Sequence, residues 1–161
     1  MVITDTYEFD AIVIGAGAVG LSIGHELSSV YRNILILEKE STFGRHVSSR
    51  NSEVIHSGIY YKPGSLKAKL CVEGNRLLYD FARKYNINHR HCKKIIVIPT
   101  SKELPRLEAL MQNGENNGVE GLRIISGEEV SQREPIIKAA GGLYAPSTGI
   151  IDSHEYMHKL E

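Results

Sequence analysis

Apolar residues recur along this chain with two different periods. Phe9 to Ile14 is an apolar run broken only by Asp10, and Ile34-Leu35-Ile36-Leu37 is a second. Short unbroken runs of this kind predict parallel strands buried on both faces. Between them Ala18 to Val30 carries Val19, Ile23 and Leu27 four apart, the spacing of a helix with one apolar face. The helical period returns from Ser65 to Lys84, where Leu66, Leu70, Leu77, Leu78 and Phe81 form a stripe that continues to Tyr85, and the stripe reads as core. Ser65 follows Pro63-Gly64 and is a good N-cap. Ile95 to Ile98 is a strand ended by Pro99, and Ser101 to about Asn113 is an amphipathic helix with Pro105 in its first turn, closed by Gly114 to Gly118. Leu122 to Ile125 is a further strand, Ser126 opens a brief helix that stops before Pro135, and Ala140–Pro146 and Gly149–Asp152 are two extended pieces. Ser153 to Glu161 reads as the opening of a helix.

The turn between the first strand and helix carries the strongest chemical signal. It reads Gly15-Ala16-Gly17-Ala18-Val19-Gly20, and Glu38 stands at the tip of the second strand, eighteen residues after Gly20. Strand, glycine turn, helix, strand and acid in this order predict a dinucleotide-binding βαβ unit. Gly15 allows a sharp turn, Gly17 lets backbone approach a pyrophosphate, and Gly20 lets the helix pack closely on the strands. The helix start offers free N–H groups and the positive end of a dipole to the phosphates. A carboxylate at Glu38 accepts ribose hydroxyls and repels a 2′-phosphate, which disfavours NADP. The motif leaves FAD and NAD both open.

Composition narrows the partners. Lys plus Arg equals Asp plus Glu at 19 each among 161 residues, which gives no reason to expect nucleic acid. No apolar run approaches the length of a membrane span, and Met1 to Asp10 holds three acidic residues and no basic one. A cytoplasmic protein is expected, with peripheral membrane contact left open. Cys71 and Cys92 form no CxxC pair and read as reduced, buried thiols. His89 with His91, and His154 with His158, lack a third ligand nearby in sequence, so no metal site is expected. Lys67 and Lys69 lie in the first turn of the long helix, where they raise the local potential for an anion or are simply solvated.

From Ser48 to Tyr61 the chain reads Ser-Ser-Arg-Asn-Ser-Glu-Val-Ile-His-Ser-Gly-Ile-Tyr-Tyr, and Pro63-Gly64-Ser65-Leu66-Lys67-Ala68-Lys69-Leu70-Cys71-Val72-Glu73-Gly74 follows. Hydroxyls and amides here can donate to phosphate oxygens, and Arg50 adds charge. These two runs closely resemble the L-2-hydroxyglutarate dehydrogenase/oxidase branch of the D-amino-acid-oxidase-like flavoproteins. The resemblance implies FAD as cofactor, with Gly15, Gly17, Gly20 and Glu38 on its ADP half. It implies that Ser48, Ser49, Arg50 and Asn51 line the pyrophosphate and ribityl chain. His56 and Gly58 then pass near the isoalloxazine, and His56 is the candidate catalytic group.

The expected fold is α/β: an incomplete FAD-binding Rossmann-like domain of the two-dinucleotide-binding type, with the start of a mixed α+β substrate domain. Residues 1–86 correspond to the first part of the FAD-binding domain, 87–146 to the start of the substrate domain and 147–161 to a shortened return segment. The resemblance covers only the first part of the family's length, so an amino-terminal fragment is expected, one that alone neither turns over substrate nor binds FAD tightly. The parent implied is an oxidoreductase that takes a 2-hydroxy acid, L-2-hydroxyglutarate first, to the 2-oxo acid, with oxygen or a quinone as electron acceptor. Glycerol 3-phosphate or an amino acid as substrate, and a non-catalytic remnant, are the alternatives.

Overall fold

The computed structural model describes residues 7–161; the first residues of the acidic amino-terminal stretch lie outside the described residues. In chain order the elements are β1 (Ala11–Ile14), α1 (Ala18–Leu27), β2 (Ile34–Leu37), β3 (Val54–Ile55), α2 (Leu66–Lys84), β4 (His89–Arg90) and β5 (Lys94–Ile98). They continue with α3 (Leu104–Asn116), β6 (Arg123–Ser126), α4 (Gly127–Arg133), β7 (Gly141–Ala145), β8 (Gly149–Ile151) and α5 (Ser153–Leu160). The chain divides into two compact units: residues up to Glu53 together with Asp152–Glu161, and Val54–Ile151.

In the first unit β1 and β2 are parallel, from Ala11 opposite Ile34 to Ile14 opposite Leu37. Helix α1 crosses one face of this pair at close range. A methyl on Gly24 would sit 2.6 Å from Ile36 Cδ1, and one on Gly20 would run into the Gly15 carbonyl. The buried side of α1 is therefore Leu21 and Gly24, while Val19 and Ile23 face outward. This corrects the sequence expectation of an apolar face through Val19, Ile23 and Leu27: Gly20 and Gly24 stand against Val13 and Ile36, because a residue without a side chain permits that approach, and Leu21 is the buried apolar residue. The helix also ends at Leu27, ahead of the expected Val30, and the Ser28 and Ser29 hydroxyls turn back onto the carbonyls of His25 and Glu26. The expectation of strands buried on both faces is likewise corrected. Ile12 and Ile14 point away from α1 and are 55% and 87% exposed, because α1 covers only the opposite face. Helix α5 packs on α1, joined to it by Ser22 Oγ and Tyr156 Oη at 2.9 Å. Asp152 caps α5 by accepting from the His154 and Glu155 N–H groups.

The second unit holds two small sheets. One has the order β3-β8-β4 and the other β5-β7-β6, all pairs antiparallel. Strand β7 is buried at every position, with Gly141 and Gly142 allowing its neighbours close, and its Leu143 joins Ile59, Ile98, Leu107 and Val119 in the core. Ser65 and Ser126 cap α2 and α4 through bonds from Ala68 N and Glu129 N, as their positions in the sequence predict. Glu129 takes both the Arg123 and Arg133 guanidinium groups, at 2.7 and 2.8 Å, above the Tyr144 ring.

Three further expectations are corrected here. Leu66, Leu70 and Leu77 of the α2 stripe are exposed, and the buried face is Ala68, Tyr79 and Ala82. Gly114 does not stop α3, which runs to Asn116. Gly114 is buried in the last turn of α3, where a Cβ would press on Leu122 Cδ1 at 2.5 Å, so its lack of a side chain serves packing. Cys71 is half-buried but Cys92 is exposed, against the expectation of two buried thiols. Among the described residues no helix is long and apolar enough to cross a membrane.

Candidate cofactor site

In the first unit the chain leaves β1 through Gly15 at φ +99°, a left-handed conformation natural only to glycine. Gly15 N–H donates to the Leu37 carbonyl at 2.7 Å, which fastens the turn to the end of β2. Ala16 is buried, and its carbonyl accepts from Gly44 N–H at 2.9 Å. Gly17 is the N-cap of α1, has extended backbone and brings no capping side chain. The first turn of a helix leaves N–H groups without intrahelical acceptors. One of these, Ala18 N–H, is met by Ser48 Oγ at 3.0 Å from the segment beyond β2. A Cβ on Gly17 would sit 3.0 Å from that same Oγ, so the glycine keeps the backbone open beside the serine.

Glu38 is held at the same place from the other side. Its Oε2 accepts from Ala16 N–H at 2.7 Å and its Oε1 from Glu40 N–H at 3.0 Å. Those backbone donors, Ala16 first, hold the carboxyl below its ordinary pKa and keep it charged at neutral pH. A carboxylate offers about four lone-pair positions, so two bonds leave capacity for two hydroxyl hydrogens. The structure thus brings Gly15, Gly17, Gly20, Glu38 and Ser48 together, although Ser48 is thirty residues from its partner Ala18. The arrangement fits an adenosine diphosphate group: bare backbone and a helix start for phosphate, an anchored carboxylate for the ribose.

The other expected residues stand differently. Ser49 donates to the His46 carbonyl and lines a cleft of about 660 Å³ with Phe43, Arg45, His154 and His158. Arg50 is exposed. Asn51 is spent on its own turn, donating to the Ser48 carbonyl at 2.7 Å and accepting from Glu53 N–H at 2.7 Å. Glu53, Asp152 and His154 have ligand atoms within 4.8 Å of one another, but Glu53 accepts from Ser153 N–H and Oγ, and Asp152 is the α5 cap.

His56 and Gly58 belong to the second unit, in an irregular segment that follows β3. The His56 side chain is exposed, while Ser57, Gly58 and Ile59 are buried. Gly58 has φ +96°, and a Cβ there would meet Val72 Cγ2 at 2.8 Å. The His56 carbonyl accepts from Asn75 Nδ2 at 3.0 Å and from Cys71 Sγ at 3.6 Å. Burial raises the Cys71 and Tyr61 pKa values. Lys67 Nζ lies 4.7 Å from the centroid of the Tyr61 ring. His91 stacks on Tyr79 at 3.6 Å, His89 meets the same ring edge-on at 5.9 Å, and His89 Nδ1 contacts the Ile87 carbonyl at 2.8 Å, so both histidines are engaged around Tyr79. The sequence reading missed Asn75, Asn113 and Asn117, whose amides hold the His56–Tyr61 segment. Asparagine inside a helix, against its propensity, was the available signal.

Residues 10–161 match the protein family described as DAO, FAD dependent oxidoreductase. The chain is 48% identical over 151 residues to the mitochondrial L-2-hydroxyglutarate dehydrogenase of Arabidopsis thaliana, covering 94% of this chain and 31% of the plant protein. It is 44% identical over 149 residues to the mitochondrial enzyme of that name from Homo sapiens, covering 91% and 32%. Against the L-2-hydroxyglutarate dehydrogenase of Indibacter alkaliphilus the identity is 40%, covering 96% and 40%. Among solved structures, FAD-bound L-alpha-glycerophosphate oxidase from Mycoplasma pneumoniae superposes with a TM-score of 0.87 at 28% identity, covering 96% of this chain and 42% of that one. Glycine oxidase from Geobacillus kaustophilus superposes at 0.81 with 22% identity, covering 96% and 44%. The chain therefore spans about a third of the length of the curated relatives it matches.

Proposed function

The chain belongs to the FAD dependent oxidoreductase family, and from that membership we propose that it is the amino-terminal part of an enzyme that oxidises L-2-hydroxyglutarate to 2-oxoglutarate. The observation that carries the cofactor assignment is the glycine turn with Glu38 tied to Ala16 N–H. In this reading the N–H groups at the start of α1 face the pyrophosphate, with Ser48 beside them, and Glu38 accepts both ribose hydroxyls. Ser49, Arg50 and Asn51 continue that lining, and His56 and Gly58 stand near the reacting ring. FAD, when bound, supplies the acceptor for the hydride that leaves Cα. The chain's part is to bind, orient and exclude water, and a base must take the hydroxyl proton as the carbonyl forms. His56 is the candidate for that base. Oxygen or a quinone receives the electrons afterwards, and the protein works in the cytoplasm.

Relatives of 40–48% identity that bear the name L-2-hydroxyglutarate dehydrogenase support this substrate. A second reading, glycerol 3-phosphate, draws on the L-alpha-glycerophosphate oxidase likeness and ranks lower at 28% identity. The test screens the purified full-length protein, loaded with FAD, for dye reduction by L-2-hydroxyglutarate, its D enantiomer, glycerol 3-phosphate and amino acids. Preference for L-2-hydroxyglutarate is expected; turnover of glycerol 3-phosphate alone would overturn the assignment. Residues 1–161 by themselves are expected to bind FAD weakly and turn nothing over, and calorimetry with the same dye assay checks both. Subcellular fractionation checks the location.

A further inference from the structure

The segment from His56 to Tyr61 is buried at its centre, from Ser57 to Ile59, yet belongs to no helix or strand. A buried backbone must still satisfy its carbonyls. Here three asparagine amides do so. Asn75, in the middle of α2, donates through Nδ2 to His56 O at 3.0 Å and to Ser147 O at 2.9 Å. Asn113, inside α3, donates to Ile59 O at 2.6 Å and Tyr61 O at 2.9 Å. Asn117, just after α3, donates to Gly58 O at 2.9 Å and Tyr61 O at 2.8 Å. An asparagine amide carries two N–H donors, so all three are fully used.

Two costs show that this arrangement is more than filling. Asparagine is a poor residue for a helix interior, and α2 and α3 each hold one there. The Oδ1 of Asn117 is also buried without a partner. Turning that amide over would aim Oδ1 at two carbonyl oxygens, so its orientation is set by the segment it holds. Cys71 Sγ adds a weaker bond to His56 O at 3.6 Å, and the buried pair Thr148 Oγ1 and Ser57 Oγ, 3.3 Å apart, ties down the next residue. The backbone is thus pinned at His56, Gly58, Ile59 and Tyr61, while the His56 imidazole projects into solvent.

We infer that Asn75, Asn113 and Asn117 are positioning residues, whose amides pin the His56–Tyr61 backbone and so fix where the His56 imidazole stands. The catalytic value of that placement rests on the reading above that His56 faces the flavin; the pinning itself does not. None of the three asparagines touches the reacting atoms, and each acts through the segment it holds.

The experiment follows the His56 imidazole by NMR in the 161-residue chain, its signal identified by its loss in His56→Gln. In Asn75→Ala the signal should shift, and amide exchange across residues 57–61 should quicken by about tenfold, the scale of one lost net hydrogen bond. The His154 and His158 signals should stay in place. Asn117→Ala should quicken exchange at the same residues, and it decides the matter if Asn75→Ala does not fold. A folded variant with an unmoved His56 signal and unchanged exchange would overturn the inference. In parallel, the absorbance of the FAD-loaded full-length protein is compared with that of its FAD-loaded His56→Gln variant. Identical spectra there would remove His56 from the flavin and leave the asparagine result standing.

Discussion

Adding one methyl at Gly20 should be the most damaging glycine-to-alanine change in α1, and the geometry gives its scale. A Cβ at Gly20 would lie 1.9 Å from the Gly15 carbonyl oxygen and 3.4 Å from Val13 Cγ1. The obstacle is backbone, so no rotamer relieves it; turn and helix must part by about 1 Å before the Cβ reaches 3.0 Å, a separation real Cβ atoms essentially never undercut. Overpacking of this kind costs about 1–3 kcal/mol, and alanine's better helix propensity returns about 1 kcal/mol. The net expectation for Gly20→Ala is a loss of up to about 2 kcal/mol, or about 4–8 °C in Tm for a domain of this size. Two glycines calibrate it. Gly24→Ala meets only the tip of Ile36, which can turn aside, and should fall between wild type and Gly20→Ala. Gly74→Ala, in α2 with nothing within 4 Å of the added methyl, should gain about 1 kcal/mol. Thermal melts of the 161-residue chain followed by circular dichroism give the order. If Gly20→Ala melts at or above wild type, helix and turn are not in the close contact described, and the phosphate-side geometry built on it fails as well.

The remaining predictions concern charge and exposed surface. In the full-length protein, Glu38→Ala should weaken FAD binding by about 10- to 100-fold, the range for lost charge-assisted hydrogen bonds, and calorimetry showing an unchanged Kd would remove Glu38 from the ribose. Glu129 is depressed to about 2 by Arg123 and Arg133, against an ordinary value of 4.5. A depressed carboxyl contributes stability that is full above about 4.5 and lost as the pH falls toward 2, since the unfolded chain takes up the proton first. The Tm gap between wild type and Glu129→Gln should therefore be widest at pH 6 and close by pH 2. A constant gap would mean that the Arg123 and Arg133 contacts are not ionic in solution. Ile14→Ser, at a side chain 87% exposed, should change stability by less than about 0.5 kcal/mol while lowering light scattering of the concentrated chain.

Local physics was legible in the amino-acid order. The glycine turn, the parallel strand pair, the serine caps of α2 and α4 and the acid at the end of β2 depend on neighbours a few residues apart, or on a motif whose spacing encodes the turn itself. Periodicity also found most helices and the longer strands. It misjudged which faces are buried, because spacing by four says that Val19, Ile23 and Leu27 share a side and not what that side meets. Gly20 and Gly24 occupy the contact because it is so close, and a hydrophobic pattern gives glycine no weight.

Tertiary structure alone decided the pairings across long separations. Ala16 N–H to Glu38 spans 22 residues, Ala18 N–H to Ser48 spans 30, and Asn113 to the carbonyl of Ile59 spans 54. Each is a polar group whose partner is set by where distant backbone comes to rest, and the short side chains of Ser48 and Asn113 give no sign in sequence of which carbonyl or N–H they will reach. The chain's order determined that a nucleotide-type turn would form and that an acid would stand beside it. Folding determined which oxygen holds which N–H there, and which asparagines hold the segment that carries His56, because hydrogen bonds of about 3 Å are selected by three-dimensional position and not by spacing along the chain.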